Sequence, residues 1–334
     1  MIIMQKRQLG RDGLVVSAAG LGCMAMSGMY GPSDRAESIA TIHSALDAGV
    51  NLLDTGDFYG MGHNELLISE ALRERSRSDV VLSVKFGAMR SPDGSWLGYD
   101  ARPAAVKNFL YHSLTRLNTD YIDIYRPSRL DPNVPIEETI GAIAEMVEKG
   151  YVRHIGLSEV GVETIRRAAA VHPIVDLQIE YSLMSRGIEA EILPACRELG
   201  IGITAYGVLS RGLLSGAWSK ERVLAGSDFR SHGPRFTGEN LDHNLELVAA
   251  LQTIAEAKGA SIAQIASAWV VAQGADIIPL FGARRLHQLH DSLTSLDINL
   301  NADELGIIER AIPKGAAAGE RYNAYLMQHL DSER

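Results

Sequence analysis

"YIDIYRPSRLDPNVPIEETIGAIAEMVEKGYVRHIGLS" (121–158) reads as a strand, a helix and a second strand. "YIDIYR" (121–126) is a β-branched and aromatic run that stops abruptly in Arg126, Pro127, Ser128 and Arg129. "IEETIGAIAEMVEKG" carries the helical period and stops at Gly150, and "RHIGLS" (153–158) turns apolar again. This order is that of a parallel βα unit.

The unit recurs in both directions along the chain. Candidate strands fall at 18–22, 50–54, 80–85, 121–126, 153–158, 175–180, 201–206 and 276–280, each followed by a segment of helical period. "DRAESIATIHSALDAG" is one such helix, with Asp34 as N-cap and Gly49 as C-cap. Ahead of the first strand, Asp12-Gly13 sits between two short runs and predicts a hairpin over 5–17. Eight units in 334 residues fit an α/β (β/α)8 TIM barrel better than two doubly wound halves, so 1–334 reads as one domain. The longest breaks, 87–103, 227–240 and the tail 313–334, read as loops over the C-terminal mouth. "GLGCMA" (20–25) matches the dinucleotide fingerprint G-x-G-x-x-A, but "MSGMYGPS" follows where a helix would have to begin. The fingerprint is rejected.

Composition narrows the function. A net charge of -9 argues against a nucleic-acid surface, which needs basic stripes, without excluding a basic pocket for one phosphate. Cys23 and Cys196 are the only cysteines, and His63, His154 and His172 lack ligand spacing, so no disulfide framework and no metal site are expected. The start "MIIMQKRQLG" resembles neither a signal nor a transit peptide, and no apolar run approaches the roughly 20 residues of a spanning helix. The expectation is a soluble, cytoplasmic protein with no membrane partner; its oligomeric state stays open.

In a barrel the chemistry sits where strands end at the C-terminal face. Those ends carry Asp54, Lys85, Ser128, Ser158, Gln178 and Tyr206, with Tyr59 just beyond the second strand. A tyrosine, with a pKa of about 10, is a poor acid at neutral pH. An ammonium beside it lowers that value, and a carboxylate can hold the ammonium in place. Asp54, Tyr59 and Lys85 could therefore make a proton donor for a developing alkoxide. Taken singly, each has an ordinary reading as a cap, a packed aromatic or a solvated strand end.

"GVNLLDTGDFYGMGHNE" resembles the aldo-keto reductase signature around its catalytic Asp and Tyr, and "LSVKFG" its catalytic Lys. "HIGLSE", "LQIEYS", "TAYGVLSRGLLSG" and "IIPLFGARRLHQLHDSL" resemble further family segments in the same order, over roughly residues 5 to 322. The resemblance implies a barrel that binds NADPH in extended form and reduces an aldehyde or ketone by hydride transfer. Tyr59 would be the proton donor, tuned by Lys85 and Asp54. Ser158 and Gln178 match holders of the nicotinamide carboxamide, and Glu159 stands where many relatives have Asn. Tyr206 matches the aromatic stacked on the nicotinamide, and Gly207, Leu209 and Arg211 lie in the loop that passes the pyrophosphate. Gly282, Arg284 and Gln288 map to the 2′-phosphate and adenosine end, where Asp291 and Ser292 replace the usual Glu and Asn. Arg284 supplies the bidentate, charge-assisted bonds a phosphate needs.

Family members usually read Gln-His-Arg where this chain has Pro127-Ser128-Arg129, so the histidine that helps orient the carbonyl is Ser128 here. A serine can donate one hydrogen bond but carries no charge. Strand alternation puts Arg126 on the inner face with Ser128, where it would pair with Asp54 or add positive potential beside Tyr59. The alternative is that the Pro127 bend turns it outward. Met24 and Trp96 are further candidates for a substrate wall, and Arg90 or Arg321 for a phosphate on the substrate. Two other functions stay open: an NADPH-binding sensor or regulatory subunit, and an NAD-dependent alcohol dehydrogenase. Aromatic aldehydes such as pyridoxal are one substrate possibility, since some relatives reduce them.

Overall fold

The computed structural model describes residues 4–11, 13–222, 224 and 228–334. Eight parallel strands close a barrel: β1 (Gly20–Gly22), β2 (Leu52–Gly56), β3 (Val81–Phe86), β4 (Ile122–Pro127), β5 (Val152–Ser158), β6 (Ile174–Glu180), β7 (Gly202–Tyr206) and β8 (Ile277–Gly282). Each pairs with its neighbour in sequence, and β8 returns to β1 through Leu280↔Gly20 and Gly282↔Gly22. Every predicted strand is present within two residues. The α/β TIM barrel read from the sequence is therefore the fold.

The helices begin and end for local reasons. Asp34 caps the helix Arg35–Asp47 by accepting the Glu37 N–H at 2.7 Å, and Gly49 follows its last turn at φ +87. The helix Ile136–Glu148 likewise stops before Gly150, at φ +80. After β1 the chain makes a short turn, Met24–Ser27, and no helix starts until Arg35, in keeping with the rejected fingerprint.

The predicted hairpin forms from strands Lys6–Leu9 and Leu14–Ser17, although Asp12 of its expected turn lies outside the described residues. It plugs the barrel floor. Leu9 and Val16 are buried against Leu52, Val81, Ile124, Val175, Ile278 and Leu280. The fit is close: a Cβ on Gly202 would sit 2.4 Å from Leu9 Cδ1. The outer core lies between the barrel and its helices.

The three long breaks are more structured than simple loops. The first contains an antiparallel hairpin, Ala88–Arg90 with Trp96–Tyr99, and the second two short turns, Phe229–His232 and Pro234–Phe236. The tail carries the helix Ala324–Met327 and packs onto the first break through the edge-on contact of His329 with Tyr99, while Tyr325 of the same helix packs edge-on against His329 from within the tail. Among the described residues no helix is long and apolar enough to cross a membrane, and no cluster of side chains could hold a metal.

Candidate active site

Strand register decides which side chains meet inside the barrel. Gly56 pairs with Lys85, Lys85 with Arg126, Gly156 with Asp176, and Ser158 with Gln178. The period of two then puts Asp54, Lys85, Arg126, Asp176 and Gln178 on the inner face near the C-terminal mouth.

Asp54 is the hub. Its carboxylate accepts from Lys85 Nζ at 2.6 Å, Gln178 Nε2 at 2.6 Å and Ser83 Oγ at 2.8 Å, all in buried surroundings. Three donors are what a buried carboxylate needs, since an unpaired charge there would cost several kcal/mol. Tyr59 is 6 % exposed, with Lys85 Nζ 5.2 Å from its ring centroid. Its hydroxyl bonds to no described residue.

The electrostatics correct one expectation. Burial first, then Asp54 and Tyr30, push the Tyr59 phenol well above its ordinary value, with Arg129 opposing. Lys85 is pulled down by burial, and by Arg126 and Arg129, against the pull of Asp54. The ammonium is neutralised by Asp54 at contact, so it does not lower the phenol as the trio alone suggested. The result is a phenol that keeps its proton, beside a buried cation held in an ion pair with Asp54.

Arg126 points inward, and Pro127 continues the strand instead of bending it away. Its partner is Asp176, not Asp54: Nη2 lies 2.9 Å from each carboxylate oxygen. Asp176 also accepts from Thr204 Oγ1. The arginine fits because β5 has glycine opposite; a Cβ on Gly156 would lie 2.7 Å from Arg126 Nε. Arg126 therefore sits sealed next to Lys85, its register partner, and is not a substrate wall.

Ser128 is buried at the end of β4. Its N–H donates to Phe86 O at 2.8 Å, and its Oγ has no partner. Such an orphan costs about 1–3 kcal/mol until something bonds to it. Arg129 follows, donating to Ser128 O at 2.6 Å and reaching Ser158 Oγ and Tyr322 Oη at 3.5 Å each.

Sequence reasoning missed the part played by Glu159 and the tail. Glu159 has φ +54, an uncommon conformation for a non-glycine residue. Its carboxylate accepts from Arg321 at 2.6 and 3.0 Å, Ser332 Oγ at 2.8 Å and Tyr206 Oη at 2.6 Å. Burial alone would raise its pKa, but Arg321 and its hydrogen bonds hold it far below the carboxylate range. Glu159 is thus committed to anchoring the tail, not to a carboxamide. Tyr206 is held in turn by Tyr322 Oη at 2.8 Å. The available signal was a charge at a strand end where Asn is usual, which calls for a cation elsewhere in the chain.

The other predicted residues lie as follows. Gly207 has φ +67, and Ser210, Arg211 and Gly212 follow in left-handed backbone at φ +46, +56 and +96. Arg211 donates to Glu180 at 2.8 Å and Arg321 O at 2.7 Å, while Leu209 is half-buried. Arg284 donates to the carbonyls of Tyr30 at 2.9 Å and Gly31 at 3.1 Å and forms no ion pair among the described residues. Gly282 ends β8, and Gln288 Oε1 accepts the Arg284 N–H at 3.3 Å. Asp291 accepts from Gln264 at 2.8 Å, which ties it to a neighbouring helix start, and Ser292 is buried. Met24 is half-buried on the turn after β1. Trp96 packs edge-on against Tyr99 at 5.2 Å. Arg90 is held on Gly94 O and over Trp96, and Arg321 is neutralised by Glu159, Glu180 and Glu333.

Known proteins resemble this chain in both sequence and fold. A profile of the Aldo/keto reductase family matches residues 18–313. The chain is 41% identical over 321 residues to "Probable aldo-keto reductase 1" of Glycine max, covering 95% of this chain and 92% of that one. Among solved structures it resembles a glycerol dehydrogenase from Gluconobacter oxydans, with TM-score 0.83, 29% identity, and 93% and 97% of the two chains covered. It also resembles the holo form of an aldo-keto reductase from Bacillus halodurans, with TM-score 0.77, 29% identity, and 95% and 98% covered. With the profile spanning most of the chain and the barrel shared with solved members, this protein belongs to the aldo/keto reductase family, a family of oxidoreductases acting on carbonyl compounds.

Proposed function

We propose that the protein reduces an aldehyde or ketone to the alcohol with NADPH, in a cytoplasmic setting. The observation that carries this is the buried Asp54–Lys85 pair beside the protonated Tyr59. The residues at the ends of β7 and β8 suit a phosphate-bearing dinucleotide. Ser210 Oγ is buried without a partner in the left-handed turn. Arg284 has surplus positive charge around it: burial first, then Arg285 and Arg230, pull it below the ordinary arginine value. Ser158, Gln178 and Tyr206 would hold the nicotinamide end, the turn 207–212 the pyrophosphate, and Arg284 the 2′-phosphate.

NADPH supplies the hydride when bound. The chain's own part is to place the carbonyl oxygen at Tyr59 Oη and give it a proton there. A donor with a high pKa keeps its proton until negative charge develops on the substrate oxygen. Lys85, 5.2 Å from the ring centroid, adds positive potential as the phenolate forms, and Asp54 fixes Lys85 in place. The Ser128 hydroxyl, unpartnered in the fold, donates the second hydrogen bond that orients the carbonyl. It supplies no charge, so the neighbouring cations carry the electrostatic work.

Ser128 is the one feature that favours a sensor with weak catalysis. The intact trio weighs against that reading, because a sensor has no need of a positioned proton donor. The test is NADPH and NADH consumption by the wild type against aromatic, aliphatic and sugar aldehydes, pyridoxal included. Steady turnover with NADPH supports the reductase; tight NADPH binding without turnover on any carbonyl supports the sensor.

A further inference from the structure

The arginines gathered at the mouth differ in one respect. Arg321 is paired with Glu159, Glu180 and Glu333, Arg211 with Glu180, and Arg230 with Asp228. Arg126, fully buried inside the barrel, is paired with Asp176. Arg129 forms no ion pair among the described residues. It has one short bond, to a backbone carbonyl at 2.6 Å, and two contacts with hydroxyl oxygens at the outer limit of 3.5 Å. A guanidinium has five donors, so most of its capacity is unused.

Its position gives that surplus a meaning. Arg129 directly follows Ser128, the residue at the carbonyl-orienting position, and reaches Ser158 on the next strand. Tyr99, Tyr206, Tyr322 and Glu159 surround it electrostatically, and its charge bears on both Tyr59 and Lys85. Glu159, the one carboxylate among these neighbours, is already bonded twice by Arg321. Arg126 keeps its free Nε and Nη1 sealed from solvent, whereas Arg129 is half-buried and its unpaired donors are not sealed. A planar fork left unneutralised in a low-dielectric site selects an oxyanion in bidentate geometry.

We propose that Arg129 is the anion-recognition residue for the substrate, and that the natural carbonyl compound carries a carboxylate or phosphate beside its reacting group. This rests on the reductase reading above and names its substrate class. Arg284, which also forms no ion pair among the described residues, is assigned to the cofactor and lies at the β8 end. Arg129 instead follows Ser128 directly at the end of β4 and reaches Ser158 Oγ at the end of β5.

The test uses matched pairs with saturating NADPH: 4-formylbenzoate against its methyl ester, and glyceraldehyde 3-phosphate against glyceraldehyde. The expected result is a kcat/KM at least tenfold higher for the charged member of one pair, which tells carboxylate from phosphate. Arg129→Met should bring that ratio to about one, mainly through KM, while Arg129→Lys retains part of it. No preference in the wild type for either anion overturns the proposal. So does a loss in Arg129→Met that is equal for charged and neutral members, or one that falls on NADPH affinity instead. Should no aldehyde turn over, the reductase reading fails separately. Calorimetry of 4-(hydroxymethyl)benzoate and its methyl ester on the NADP-bound protein then decides for Arg129: tighter binding of the carboxylate, lost in Arg129→Met, supports it, and equal binding overturns it.

Discussion

Arg126 on β4 and Asp176 on β6 face each other across the inside of the barrel, Nη2 2.9 Å from both carboxylate oxygens, with neither side chain exposed. Arg126 is also the register partner of Lys85 on the neighbouring strand, so the pair adjoins the Asp54–Lys85 site. Two further nitrogens of Arg126, Nε and Nη1, have no partner among the described residues. Such a pair contributes little net stability, but breaking it is costly.

Removing one member leaves an uncompensated buried charge, so Arg126→Leu or Asp176→Asn should each destabilise by about 3–5 kcal/mol in urea unfolding. Arg126→Leu/Asp176→Val should recover most of that loss. In the double variant Lys85 also loses one of the cations that hold its pKa down, so the basic limb of the kcat/KM profile should move to higher pH. An unshifted limb would confine the pair to a packing role.

Asp57 gives a pH-dependent prediction of opposite sense to the usual carboxylate. Burial first, then Glu65, raise its pKa from the ordinary 3.8 to about 7, against help from the Gly87 N–H and Arg116. The folded state therefore holds this proton to higher pH than the unfolded state does. Stability at this site is greatest below 3.8, declines as pH rises to about 7, and is flat above. At about 1.4 kcal/mol per pH unit the decline is on the order of 4 kcal/mol. Asp57→Asn should remove it, so the variant gains over wild type at pH 8 and not at pH 4 in matched thermal melts.

Arg321 ties the tail to two barrel carboxylates, Glu159 and Glu180. Arg321→Met should free backbone amides of residues 321–334, and of Gly161, which donates to Asp331 at 2.9 Å. Hydrogen exchange there should quicken while the barrel strands stay protected. Because the pKa of Glu159 is depressed, its contribution is full above the ordinary 4.5 and is lost only as pH falls below it. The tail should therefore stay docked through mildly acid conditions.

Much of this was legible beforehand, for a physical reason. Strand runs such as 121–126 and 153–158 are specified by local composition and period, and Asp34 and Gly49 mark a helix by chemistry that acts within one turn. The Pro127 bend left an outward turn equally open, while alternation pointed Arg126 inward. Its partner was not predictable, because Asp176 meets it two strands away through barrel closure, in space opened by Gly156. Glu159 escaped in the same way: its left-handed backbone and the distant Arg321 together decide where its carboxylate goes. The tail carries no periodic pattern, and its place is set by ion pairs and aromatic edges.

The proposed function assigns cofactor choice to Arg284, which has no carboxylate partner among the described residues and has Arg285 and Arg230 acting on it. Arg284→Ala should weaken NADPH binding by about 10- to 100-fold, or about 1.4–2.7 kcal/mol, and leave NADH binding nearly unchanged. Fluorescence titration of both nucleotides checks this. Equal effects on the two would assign Arg284 to a general packing role.

The central claim is that Tyr59 gives the proton. The most direct measurement is NADPH oxidation by wild type and Tyr59→Phe on the best aldehyde of the panel, with NADPH affinity measured alongside. The account predicts a kcat lower by about 10²–10⁴ in the variant, with NADPH still bound. A Tyr59→Phe protein that turns over as fast as the wild type would contradict it.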